Sequence, residues 1–183
     1  MKRYVVFDLE ATCWRRGAEE APSEIIEIGA VRFDQPGPQA RPALEFQSFV
    51  KPFMAPKLSA FCTELTTIRQ SDVDRAPGFP DVLAAFHGWA GRDGGFTLLA
   101  WGDYDGAQLG RDCGKHGIEN PFAGVPYVNV KKVFAAHFGL SRAGGLGGAL
   151  KRMGLDREGT AHRAIDDARS VVRILEAGIA AAL

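Results

Sequence analysis

The chain is poor in cysteine: Cys13, Cys62 and Cys113 are an odd number with no C-x-x-C pair. That pattern excludes a disulfide framework and a thiolate zinc site and suits a reducing compartment. Net charge is missing too, because 22 Lys and Arg balance 22 Asp and Glu. No overall field therefore gathers nucleic acid or an anionic membrane. A polyanionic partner has to be gripped locally, by a few basic side chains or by metal ions that reverse the sign of an acidic pocket. No apolar run reaches the length of a membrane span, and Asp8 and Glu10 fall where the apolar core of a signal peptide would lie. A cytoplasmic protein with no membrane partner is the expectation. Internal repeats are absent. The glycine-rich RAGGLGG (142–148) lacks the Lys and Ser/Thr of a P-loop and reads as a loop and helix start.

What the chain does have is 46% hydrophobic residues over 183 positions, enough for one substantial core. A single domain, 1–183, is expected. Residues 4–9 (YVVFDL), 25–33 (IIEIGAVRF) and 46–50 (FQSFV) are β-branched and aromatic runs that predict a three-strand meander, with QPGPQARP as a turn. Helical patterns follow in LSAFCTELTTI and in the segment where Pro80 opens the amphipathic VLAAFHGW. FTLLAWG (96–102) and PYVNV predict two more strands, with a helix between them ending at Gly117. KKVFAAHFG, GLGGALKRMG and one long segment running from Ala161 to Leu183 supply the last helices. Strands first, then strands alternating with helices, predict an α/β fold with a mixed five-stranded sheet.

In VVFDLEATCW two acids stand at the end of an apolar strand, and residues two apart in a strand share a face. Asp8 and Glu10 side by side repel unless a cation sits between them or one is protonated; the alternative is a strand that stops at Phe7 and leaves both in water. FTLLAWG likewise runs into the acids of DYD, at the kind of strand end where open α/β sheets bind ligands. In the last helix Ala164, Ile165, Ala168, Val171, Val172 and Leu175 make one apolar face. Asp167 lies at its edge, whereas Asp166 falls beside Arg169 and Arg173 and is explained as a surface acid. His162, five positions before Asp167, stands out from His87, His116 and His137, which their own helices explain.

Taken in order, DLEATCW, EIIEIGAV, WGDYD and HRAIDDA resemble the DEDDh family of 3′→5′ exonucleases over nearly the whole chain. LSAFCTELTTI, the AP-FP segment, WGDYD and LKRMGL look like the branch holding the enhancer-of-RNAi and histone-mRNA exonucleases and the bacterial sporulation-inhibitor relatives. The resemblance implies an RNase H-like sheet, with two divalent ions, Mg²⁺ or Mn²⁺, held by Asp8, Glu10, an acid of WGDYD and Asp167, and with His162 as general base. Asp105, after Tyr104 and four before Leu109, matches the family's third ligand better than Asp103 does; a capping box with Gln108 is its alternative explanation. Hard oxygen donors suit these ions, which can hold the attacking and leaving oxygens of an in-line displacement.

By the same analogy Ala11 and Thr12 approach the terminal sugar, Trp14 the terminal base, and Leu65 the base's other side, with Tyr104 also among the substrate contacts. Core packing is the equal alternative for Leu65. Many relatives have a glycine and a small apolar residue where this chain has Cys13 and Trp14. Lys131, Lys132, Arg142, Lys151, Arg152 and Arg163 cluster in the C-terminal third and are either a phosphate track or a solvated face. The implied activity is release of 5′-mononucleotides from single-stranded 3′ ends, RNA rather than DNA given the branch. A DNA-directed proofreading exonuclease, an oligoribonuclease, and a catalytically silent interaction module on the same fold are the alternatives.

Overall fold

Alternation along the first strand decides the architecture. A computed structural model describes residues 3–17, 22–34 and 44–183. In it β1 (Arg3–Ala11) pairs antiparallel with β2 (Ile25–Asp34), which pairs antiparallel with β3 (Leu44–Phe49). On its other side β1 pairs parallel with β4 (Thr97–Ala100), and β4 with β5 (Tyr127–Asn129), giving the order β3-β2-β1-β4-β5. The mixed sheet and the meander are as expected. The QPGPQARP turn lies outside the described residues.

Side chains of β1 leave alternately to the two faces. Val5, Phe7 and Leu9 join Phe79, Val82, Leu83 and Phe86 of α3 (Phe79–Gly91) and Leu109 of α4 (Tyr104–Lys115). Tyr4 and Val6 join a separate cluster with Phe134 of α5 (Val130–His137), Leu150 of α6 (Leu146–Arg152) and Val171, Ile174 and Leu175 of α7 (Ala164–Glu176). The central strand is thus covered on both faces. Two short helices, α1 (Ala60–Thr66) and α2 (Gln70–Asp74), frame a third cluster around Ile26, Cys62 and Ile68.

Three expectations are corrected. First, β1 runs on to Ala11, two residues past the 4–9 run; Asp8 and Glu10 stand side by side in the strand as expected, and the alternative of a strand that stops at Phe7 falls away. Second, α4 opens at Tyr104, earlier than the pattern AQLGRDCGKHG suggests; its far end agrees, with Gly117 at φ 62° and the Ile118 N–H bonded to the Cys113 carbonyl. Third, the last helix is not continuous to Leu183: Gly178 at φ 130° breaks it and Ile179–Ala182 form a separate 3₁₀ turn. Pro80 does sit in the first turn of α3.

Candidate active site

Asp8 and Glu10 follow Tyr4 and Val6 on the α7 face of β1, because the side-chain period is two. Their partners across the ladder are Gly29 and Glu27. Gly29 is what lets α7 begin here: a Cβ at that position would stand 2.1 Å from the Ile165 nitrogen. Glu27, fully buried, receives the Ala164 N–H at 3.0 Å and the Arg163 guanidinium at 2.9 and 3.1 Å, and Gln47 donates to it at 2.7 Å. One carboxylate therefore ties the start of α7 to β2 and β3, and negative charge at a helix N-terminus is favourable. A bulge between Glu10 and Ala11 ends the regular ladder beside these groups.

Pinning α7 in this way brings Asp167 and His162 onto the strand acids. Glu10, His162 and Asp167 each bring one ligand atom within 4.8 Å of the others. Asp105 arrives from the first turn of α4 and its Oδ1 accepts the Leu9 N–H at 3.2 Å. It does not cap that helix; Gln108 points instead to the Ser23 carbonyl and Asp112. Asp103, exposed at the N-cap position, pairs with Lys132 at 3.0 Å, and hydrogen bonds from Asn129 and Lys132 hold its pKa below the usual range. Of the two acids of WGDYD, Asp105 is the one that turns toward β1.

The electrostatics of the cluster are those of crowded, dehydrated carboxylates. Burial first, then Asp105, Glu10, Asp167 and Glu27, push Asp8 far above its ordinary pKa. Burial, Asp167, Glu27 and Asp105 push Glu10 up to about 8, with Arg163 pulling the other way. Burial raises Asp105 to about 6 against the pull of the Leu9 N–H. Asp167 is raised by burial, while Arg157, the His162 backbone amide and the His162 ring draw it down. Four carboxylates so placed cannot all ionise without a counter-charge, and hard oxygen donors are what Mg²⁺ and Mn²⁺ take. The donor set fits divalent cations.

The family model for RNase T exonucleases matches residues 5–175. The chain belongs to the RNase T exonuclease family. It is 30% identical over 187 residues to the 3′-5′ exonuclease Snipper of Drosophila melanogaster, covering 91% of this chain and 66% of that protein. It is also 30% identical over 176 residues to 3′-5′ exoribonuclease 1 of Mus musculus, covering 92% of this chain and 50% of the relative. The chain thus spans between half and two thirds of the length of these curated relatives. Among solved structures, the nuclease domain of 3′hExo, a DEDDh family member bound to rAMP, superposes with a TM-score of 0.86 at 28% identity, over 96% of this chain and 90% of that one. The RNase H-like DEDDh fold and the branch expected from the motifs are therefore those of this protein.

The strand and helix acids of this exonuclease-family chain sit on rigid elements, but His162 does not. It is exposed and left-handed at φ 60°, a conformation that costs a non-glycine residue about 1–2 kcal/mol. Asp166 helps hold its loop, accepting the Thr160 N–H at 2.8 Å as well as Arg169 at 2.9 Å. The i,i+3 pair with Arg169 is the one expected, and the bond from Thr160 adds a role in the loop; Arg173 binds the Asp156 carbonyl and Glu158 instead. Arg157 lies between α6 and α7 and pairs directly with Asp167.

The residues expected at the substrate occupy the loop after β1 and its neighbours. Ala11 and Thr12 are buried, and Thr12 is bonded three times to residues 23 and 24: its N–H donates to the Glu24 carbonyl, its carbonyl accepts from the Ser23 hydroxyl, and its own hydroxyl accepts the Glu24 N–H. Trp14 is half-buried. Ser59, the N-cap of α1, donates to the Cys13 carbonyl at 2.6 Å and so ties this loop to the helix carrying Leu65. Leu65 is half-buried and belongs to none of the three apolar clusters. Tyr104 is 53% exposed, with the Arg111 guanidinium 5.6 Å from its ring centre. Burial and the neighbouring Cys62 push the Cys13 thiol up to about 12, so it is no reactive thiolate.

Three contributors were not singled out from the sequence. Glu27 had a signal, an acid in the middle of an otherwise apolar strand; Gly29 had a weaker one, a glycine inside a strand. Arg157 had none, because nothing local distinguishes an arginine that reaches across a loop.

Proposed function

We propose that the chain is a metal-dependent 3′→5′ exonuclease that removes 5′-mononucleotides from single-stranded ends, with RNA preferred over DNA. The observation that carries this is the convergence of Asp8, Glu10, Asp105 and Asp167, from three separate elements, beside His162 in a chain of an exonuclease family. Preference for RNA draws support from the relatives, one called an exoribonuclease and another bound to rAMP.

Asp8, Glu10, Asp105 and Asp167 would hold two ions, Mg²⁺ or Mn²⁺, whose chemistry is to acidify a water and neutralise charge on the phosphoryl oxygens. His162 accepts the proton of the attacking water, a task for which imidazole is suited near neutral pH. Its exposed, loop-borne position leaves room for that proton to pass on to solvent. Ala11 and Thr12 border the terminal sugar; Trp14 and Leu65, on two elements tied through Ser59, flank the terminal base without distinguishing among bases, since every base offers a π-face. Tyr104 adds an exposed ring next to Asp105. We take the protein to act as one domain in the cytoplasm, where its three free cysteines stay reduced. Among the described residues no helix is long and apolar enough to cross a membrane.

The test is degradation of matched 5′-labelled RNA and DNA oligomers, resolved nucleotide by nucleotide, with Mg²⁺, with Mn²⁺ and with chelator. A ladder shrinking from the 3′ end only when a divalent cation is present is the expected result. Equal or faster loss of DNA would reassign the substrate, and internal cuts or metal-independent loss would reject the proposal.

A further inference from the structure

At the carboxyl ends of β4 and β5 lies a cleft of about 640 Å³ whose walls come from Gly102 and Asp103, from the start of α5, and from the loop leading into α6. Crevices at such strand ends are where open α/β sheets take ligands. Three cations line it, Lys131, Lys132 and Arg142, against one acid, Asp103. Lys132 is spent on Asp103, in a pair whose side chains are 74% and 64% exposed and therefore readily exchanged for another anion. Lys131 and Arg142 have no acidic partner among the described residues. The chain as a whole carries no net charge, so this excess of positive charge is local.

The rest of the lining says which part of a polyanion would fit. No aromatic ring borders the cleft, so it offers bases nothing to stack on. Ala143, Gly144 and Gly145 make its far wall, and a Cβ added at either glycine would meet nothing within 4 Å. Gly144 is left-handed at φ 74°, which exposes backbone rather than side chain there. A charged, small-residue trough without rings suits phosphates and sugars. Asp103, on its rim, is the N-cap of α4 and Asp105 lies in that helix's first turn, so the trough and the cluster of acids share the start of one helix.

We propose that this cleft binds the phosphodiester backbone of a single-stranded polynucleotide on the 5′ side of the bond being cut, with Lys131 and Arg142 as its principal phosphate contacts. This rests on the exonuclease activity proposed above and extends it: the acid cluster handles the terminal nucleotide, and the cleft recognises that more chain follows. It makes the enzyme favour long substrates over short ones without reading sequence, because phosphate contacts position a strand and carry no base information.

The test compares the wild-type chain with Lys131→Ala/Arg142→Ala on an oligonucleotide of about twelve residues and on a dinucleotide. The variant should raise KM for the long substrate about tenfold with kcat unchanged, and leave the dinucleotide untouched. Binding of the long strand in Ca²⁺, followed by fluorescence anisotropy, should lose about 1.4 from its log–log salt slope, at about 0.7 per phosphate contact on a single strand. Lys131→Arg/Arg142→Lys should restore both, and a retained thermal midpoint shows that the fold is intact. Unchanged long-strand binding, or equal loss on the two substrates, overturns the cleft as a backbone site. Failure of the wild type to cut either substrate instead rejects the exonuclease proposal, while the anisotropy slope still judges the cleft.

Discussion

The two faces of β1 make the sharpest contrast in this molecule. Val5, Phe7 and Leu9 point into an aromatic core in which Phe7 lies 6.0 Å from the Phe86 ring and Phe46 lies 5.3 Å from the same ring. One residue out of phase, Tyr4 and Val6 begin an equally apolar face that Asp8 and Glu10 then turn acidic beneath α7. The first face is made for packing alone. The second gives up stability at its end, where crowded carboxylates repel one another; in the function proposed above, that end is the place that would hold cations. On that proposal the same strand serves the core with one parity and the chemistry with the other, and its rigidity sets the spacing of the acids.

Substitutions one residue apart should separate these roles. The largest effect is expected from Asp8→Ala: turnover should fall by about a thousandfold or more, as for loss of a group that handles the reaction's charge. The thermal midpoint of the metal-free protein should stay level or rise, since one of the repelling acids has gone. A large loss of midpoint, measured by scanning calorimetry, would show that Asp8 supports the fold rather than the site. Phe7→Ala, next door, should do the reverse. It empties part of a closed aromatic cluster and should cost about 3–5 kcal/mol in denaturant unfolding, with kcat of the surviving folded fraction near the original.

Glu27→Gln probes the link between the faces and α7. Its neutral amide keeps the shape but weakens the grip on Arg163 and the Ala164 N–H, so His162 and Asp167 are held less firmly. A drop of about tenfold in kcat, about 1.4 kcal/mol, with KM little changed is expected. Because Glu27 also raises Glu10, the same variant should bring the Glu10 titration down, as followed by carboxyl NMR shifts. A titration left where it was would mean that Glu27 acts on position alone.

The smallest effect is a slope with pH. Glu10 rises from 4.5 to about 8 and Asp105 from 3.8 to about 6 on folding. Between each pair of values the folded chain holds more protons than the unfolded one, so stability is fully present below the unfolded pKa and is lost as pH climbs through the folded pKa. With chelator present, the thermal midpoint should therefore decline between about pH 5 and pH 8, and Mg²⁺ should flatten the decline. Glu10→Gln should remove much of the slope; an identical slope in that variant would place its origin elsewhere.

Much of the fold was legible from local pattern. The runs around Val5, Ile28 and Leu98 read as strands because β-branched and aromatic residues alternate or cluster there, and Pro80 and Gly117 mark helix ends through their own backbone chemistry. The end of β1 was harder to see, since an acid in a strand looks like its end until a partner shows that it is buried. The break at Gly178 was also hidden, because an alanine-rich segment of high helix propensity surrounds it. Of the acid cluster, Asp8, Glu10 and Asp167 stood out as charges placed against an apolar pattern. Asp105 and Asp103 are near equals in sequence, and only the direction of the α4 turn, toward Leu9 or toward Lys132, separates them.

By itself the sequence determined which residues are apolar at a period of two or of 3.6, and hence which acids and which histidine interrupt those periods. Periodicity is a property of neighbours along the chain. Tertiary structure alone decided that Gly29 admits the start of α7, that Glu27 and Arg163 hold it there, that Arg157 reaches Asp167, and that Lys131 and Arg142 share a trough with Gly102. Those are meetings of residues up to 137 positions apart, governed by where whole elements pack, and no local rule of spacing contains them.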